Sequence, residues 1–118
     1  MTAIRAPIVR NSLYRDAMDL TFSGEVWYWR GPSPYHFVRV PDEECEHLHD
    51  VAPDVTYGWG MIPVRARIGA TRWETSLFPK DGAYLVPLKD AVRRAERIDA
   101  GDTVTLGLTV AVRHHLDA

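Results

Sequence analysis

Arg65, Arg67, Ser76, Lys89 and Arg93, set among Trp59 and Trp73, are the residues of this chain whose types suit recognition of a small polar molecule. A guanidinium presents a rigid fork of donors that matches a carboxylate or a pair of phosphate oxygens. Indole rings wall a pocket against water, and a hydroxyl adds orientation. The chemistry implied is binding of a small anionic or polar ligand. A plainer reading competes with it. The outward face of a half-buried strand is ordinarily polar and solvated. Arg67 or Arg72 paired across strands with Glu74 would account for the charges without a ligand.

Other chemistries find less support. Cys45 and His49 are four apart on a helical segment, a ligand-compatible spacing, but no third ligand accompanies them and a zinc site takes three or four. Cys45 reads more simply as a small buried hydrophobe. Ser76 lies inside a strand without a flanking G-x-S-x-G, and neither Ser23 nor Ser33 has a legible base, so no catalytic residue is assigned. Gly58-Trp59-Gly60 lacks the lysine of a phosphate loop and precedes a strand instead of a helix. It reads as a lip, with Trp59 as a lid or plug. No cofactor or metal is expected.

Two-residue alternation dominates the elements that must position these groups. Met18, Leu20, Phe22, Val26 and Tyr28 form one buried series, with Gly24 in the gap marking a bulge or a close backbone approach. After the turn Gly31 to Pro34, residues 35–40 form a second strand and complete a hairpin. Pro41 opens a helix whose first turn carries Asp42, Glu43 and Glu44 against the positive end of its dipole. Cys45, Leu48, His49 and Ala52 give the helix its stripe, and Pro53 is expected to stop it. Residues 61–70 form a third strand with Ile62, Val64, Ala66 and Ile68 inward and Arg65 and Arg67 outward. Gly69-Ala70 turns it into a fourth, 71–78, with Trp73, Thr75 and Leu77 inward. Asp81-Gly82 punctuates the next turn, and 83–87 is a short fifth strand. A second helix, 88–97, buries Leu88, Val92 and Ala95 and repeats Lys89, Arg93 and Arg97. Residues 103–112 are the clearest strand, with Val104, Leu106, Leu108 and Val110 on one face.

Six strands and two short helices predict an all-β domain, a small closed β-barrel, because closure removes the edges an open sheet would have to protect. The expected inner lining is Leu20, Phe22, Val64, Ile68, Leu106 and Leu108. The barrel domain spans 18–113, between a polar N-terminal arm (1–17) and a C-terminal tail (114–118) that holds His114 and His115.

The chain has 118 residues, a net charge of −2 and one cysteine. That length supports one domain with its own core and needs no disulfide or metal. The slightly acidic balance counts against sequence-independent nucleic-acid binding. The segment 1–15 has no apolar run of the kind a secretory signal needs, and no stretch reaches a membrane span, so the expectation is a cytoplasmic protein. Trp27 and Trp29 fall on the face opposite the buried series. Two outward indoles need cover, which a helix, the N-terminal arm or another subunit could supply, and a homodimer is the leading expectation.

A string of motifs adds a resemblance. They are F-x-x-x-V-W-x-W from Phe22, F-V-x-V-P at Phe37 to Pro41 and G-W-G-x-x-P-V at Gly58 to Val64. I-G-x-T-x-W-x-T-S-L-F-P at Ile68 to Pro79, Y-L-V-P-L-K-x-A-V-R at Tyr84 to Arg93 and G-D-x-V at Gly101 to Val104 complete it. In this order they resemble a bacterial domain-of-unknown-function family whose members occur alone or joined to a YdeI/OmpD-associated domain. The resemblance implies a double-split barrel and supplies no catalytic residue. The leading expectation is a non-enzymatic binding or interaction module. An enzyme or enzyme accessory acting on a small polar metabolite is the alternative, and a DNA-binding regulator, by fold analogy alone, is the third.

Overall fold

A strand with apolar side chains on alternate positions can bury that face only against another of the same kind. In a computed structural model, which describes residues 8–11, 14–32 and 34–113, the strands meet this demand by curling into a closed six-stranded antiparallel barrel with two short helices. In chain order the elements are β1 (Ile8–Asn11), β2 (Tyr14–Trp29), β3 (Tyr35–Arg39), α1 (Asp42–Val55), β4 (Ile62–Ile68), β5 (Thr71–Lys80), β6 (Ala83–Leu88), α2 (Asp90–Glu96) and β7 (Thr103–Arg113). Around the barrel the order is β2-β3-β6-β5-β4-β7, and β7 pairs back onto β2. β1 lies outside this cycle, paired with the start of β2.

Two strands are long enough to be shared. β2 pairs with β7 from Asp16 to Glu25 and with β3 from Val26 to Trp29. β5 pairs with β4 from Thr71 to Leu77 and with β6 from Phe78 to Lys80. The expected lining, Leu20, Phe22, Val64, Ile68, Leu106 and Leu108, is buried in one core with Val26, Val38, Leu77, Val86 and Val110. α1 packs against β7, β4 and β6 and buries Cys45, Leu48 and Val55. α2 packs on β5, where the Thr71 hydroxyl donates to Glu96. Between the paired Lys80 and Ala83, Asp81 and Gly82 take φ of 52° and 81°. This is the two-residue turn whose positive φ values match the twist of a hairpin.

The structure departs from the sequence reading in several places. Within the expected arm 1–17, Ile8–Asn11 is paired with β2, and β2 itself begins at Tyr14. Residues 1–7, Ser33 and the expected tail 114–118 lie outside the described residues. Pro53 does not stop α1, which runs to Val55. Pro53 is on the exposed side, where the carbonyl it leaves without a donor can turn to water, while buried Val55 holds the last turn down. Leu88 ends β6 instead of starting α2, and Ala95 is exposed, so Val92 and Ile98 anchor that helix. Arg97, in left-handed conformation, closes α2, and the Ile98 amide reaches back to the Arg93 carbonyl. Tyr28 has the parity of the buried series but is 41% exposed. It stacks on His36 at 4.6 Å, with the Arg30 guanidinium over its ring. No helix among the described residues is long and apolar enough to cross a membrane.

Gly24 meets the expectation of a close approach. A Cβ built there would sit 2.7 Å from Cγ1 of Val38, a fully buried residue of β3. Gly24→Ala should therefore cost about 1–3 kcal/mol by overpacking. Combined with Val38→Ala it should cost much less than the sum of the two single changes, because the second truncation opens the space the first one needs. Denaturant unfolding of the two single variants and the double variant checks this.

Candidate functional site

Closure gives the barrel one inside and two distinct outsides. Over β2, β7, β4 and β5 the outward side chains are polar and line up in rows across the strands. One row is Asp19, Thr109, Arg65 and Glu74, each directly opposite the next. It is closed on itself: the Thr109 hydroxyl donates to Asp19 at 2.9 Å, and Arg65 Nη2 donates to Glu74 at 3.1 Å. The neighbouring row is Thr21, Gly107, Arg67 and Arg72. Below it Ser23 and Thr105 share a hydroxyl hydrogen bond of 2.9 Å. A depression of about 430 Å³ lies over the first two rows, with Gly107 in its floor.

The structure separates the ligand set expected from sequence. Arg65 and Arg67 line this depression together with Arg72. Ser76 and Lys89 line a second hollow of about 610 Å³ with Pro63, Glu74 and Thr75, where the Tyr57 and Ser76 hydroxyls lie 2.6 Å apart. Arg93 belongs to a third, of about 570 Å³, beside Tyr28, His36 and Asp90. There Arg93 donates to the Ile98 carbonyl at 3.2 Å and more weakly to Asp90 at 3.4 Å. Burial, reinforced by Arg93, holds His36 below the ordinary histidine value, while Asp90 and Asp99 oppose the shift. Trp73 is a core residue. Trp59, with φ of 67° and 94% exposed, stands apart on its turn. The carboxylate expected for Arg67 or Arg72 pairs with Arg65. Sequence reasoning missed Asp19, Thr21, Gly107 and Thr109 as neighbours of the arginines. The outward parity of β2 and β7 was readable, but their register against β4 was not.

Over β2, β3, β6 and β5 the outward side chains are mainly aromatic and apolar, with Arg39 and Lys80 among them. Trp27 stands opposite Phe37, which stands opposite Pro87, and Trp29 is opposite Tyr35. The Tyr35 ring meets Phe37 at 5.5 Å and Phe78 at 5.6 Å. Leu85 points outward beside Phe78 yet is buried. Trp27 is 56% and Trp29 41% exposed. Trp29 lies back on its own turn, where a Cβ on Gly31 would overlap the indole, and the Lys80 ammonium sits 5.6 Å from its ring centre. These contacts give the indole a fixed pose.

Cys45 faces the core and donates its thiol to the Val40 carbonyl at 3.3 Å. Burial raises its pKa, against a backbone hydrogen bond that involves Tyr84, and burial also raises Tyr84 and Tyr35. An unfolded chain releases these protons first. Their contribution to stability is therefore intact below about pH 8.5, where a free thiol ionises, and is lost as pH climbs through the raised values. Unfolding measured at pH 7 and pH 10 should show the loss, and Cys45→Ala should reduce it. An aromatic disulfide reagent at pH 8 should label Cys45 only as fast as the protein opens.

No curated protein matches the chain. Residues 22–108 match the model of a family described as a domain of unknown function, and the matched segment runs from the middle of β2 through most of β7. With the larger part of the chain inside that match, the protein belongs to the DUF1905 family.

Proposed function

We propose that this domain is a non-enzymatic interaction module of the cytoplasm, and that its aromatic outer face docks on the same face of a second copy. The observation that carries the reading is the exposure of Trp27 and Trp29 on a face continuous with Tyr35, Phe37 and Phe78. The strands of the closed cycle have no free edge, so a partner on the aromatic face must meet it face-on. Aromatic rings of 150–250 Å² each, partly exposed here, supply roughly half of the ~800 Å² per partner of a standard interface. Trp and Tyr are also the side chains that concentrate binding energy at the centre of such interfaces.

A second copy fits because a two-fold interface must complement itself. On this face a cation and a ring are already neighbours, with Lys80 over Trp29. A patch with both groups can pair Lys80 of one copy with an indole of the other. The sharing of β2 and β5, each between two partner strands, supports assignment of the barrel to the double-split class.

Sedimentation of the wild type at micromolar concentrations should give the mass of a dimer. Trp27→Glu and Trp29→Glu should each weaken association at least ~30-fold, the effect of losing a central contact of ~2 kcal/mol. Arg67→Gln, on the other face, should leave it unchanged. A wild type that stays monomeric at the highest concentrations overturns the reading.

A further inference from the structure

The row Thr21, Gly107, Arg67, Arg72 twice breaches what an outward strand face ordinarily requires. Arg67 and Arg72 are directly paired across β4 and β5, and like charges placed so repel each other. Among the described residues no carboxylate pairs with either: Arg67 makes one long contact, 3.4 Å to the Gly69 carbonyl. Glu74, the acidic side chain one row away, is held by Arg65, and Asp19 accepts from Thr109. The second breach is Gly107. It lies mid-strand in β7, opposite Thr21 on one side and Arg67 on the other. Its φ is not positive, so no turn or left-handed conformation requires a glycine there. A Cβ at this position would lie 3.3 Å from Nη2 of Arg67. The missing side chain lets that guanidinium lie across the strand and leaves the floor of the depression low.

We infer that Arg67 and Arg72, over the floor left open by Gly107, form a binding site for a phosphoryl oxyanion. An anion between the two guanidiniums turns their repulsion into two charge-assisted interactions. Thr21, across Gly107 from Arg67 and lining the same depression, adds a hydroxyl donor at the other end of the row. Three donor residues along one row suit the several oxygens of a phosphoryl group better than a planar carboxylate, which one guanidinium fork would satisfy. The volume, about 430 Å³, suits a small phosphorylated metabolite. The protein carries a net charge of −2, so attraction at this spot is local instead of a property of the whole surface. The site is independent of the aromatic face and takes no residue from it.

The test uses the intact chain and inorganic phosphate, with chloride at matched ionic strength as reference. Melting temperature and isothermal titration are read for wild type, Arg67→Gln, Arg72→Gln and Arg39→Gln. Phosphate should raise the wild-type melting temperature above the chloride value. Binding should fall at least tenfold in Arg67→Gln and Arg72→Gln and persist in Arg39→Gln. In chloride, Arg72→Gln should melt above wild type, because the repulsion is gone, and phosphate should close that gap. Gly107→Val keeps every charge, suits a strand, and should remove the phosphate response without lowering the melting temperature in chloride. No phosphate-specific shift in wild type, or an unchanged one in both arginine variants, overturns the site. Succinate binding as tightly as phosphate overturns its assignment to a phosphoryl group.

Discussion

The pairing of β7 with β2 is the constraint on which the rest depends. It runs from Asp16 opposite Arg113 to Glu25 opposite Thr103 and joins the last strand of the chain to the first strand of the barrel. Without it β2 and β7 would be open edges, and the core face, from Leu20 and Phe22 to Leu106 and Leu108, would lose its enclosure. With it, side-chain parity becomes binding on every strand. A slip of one residue would exchange the lining for Thr21, Thr105 and Gly107, so the apolar series fixes the register. The outward rows inherit that register. Thr109 meets both Asp19 and Arg65 because the core demands it.

Each shared strand changes its outward character where it changes partners. Along β2 the outward series runs Asp19, Thr21, Ser23, Glu25 while β7 is the neighbour, then Trp27 and Trp29 where β3 takes over. Along β5 it runs Arg72, Glu74, Ser76 beside β4, then Phe78 beside β6. The buried inner series reaches Val26 on β2 and Leu77 on β5, at the changes themselves, and Tyr28 and Pro79 beyond them are exposed. The two outer faces are therefore coded in the same strands as the core, on the other parity, and the boundary between polar and aromatic surface coincides with the transfer from one partner strand to the next.

Alternation made the strands and the lining legible in the sequence, because a closed barrel asks for one buried side chain in two and little else. What resisted reading were the ends. Tyr28 keeps the inward parity but lies near the end of β2, where parity no longer means burial. Leu88 reads as helical because Val92 follows it at a helical interval, yet pairing with His36 holds it in β6. Pro53 signals a helix stop locally, and the buried Val55 two residues later outweighs it. The outward positions of Arg65 and Arg67 were readable for the same reason as the core. Their company was not, since Asp19 and Thr109 come from strands whose mutual hydrogen bond spans 90 residues of sequence. Lys89 and Arg93 are expected to approach them from the helix and Trp59 to wall the pocket, yet the two cations line other hollows and Trp59 stands exposed on its turn.

Two glycines placed inside strands show how a departure from local preference can be interpreted. Each weakens its strand by roughly 0.5–1 kcal/mol relative to alanine. For Gly24 the compensation is visible on the same page of the fold: Val38 fills the space a Cβ would take, and the core gains a buried methyl group. For Gly107 no core atom benefits. The neighbour of its missing side chain is a guanidinium on the solvent side, from a residue paired in register with a second arginine. Local choices that cost stability without a packing return are where function is expected to lie. By that criterion the Arg67–Arg72 row is the place on this barrel least explained by folding alone, and the aromatic face, whose rings at least roof Leu85, comes second.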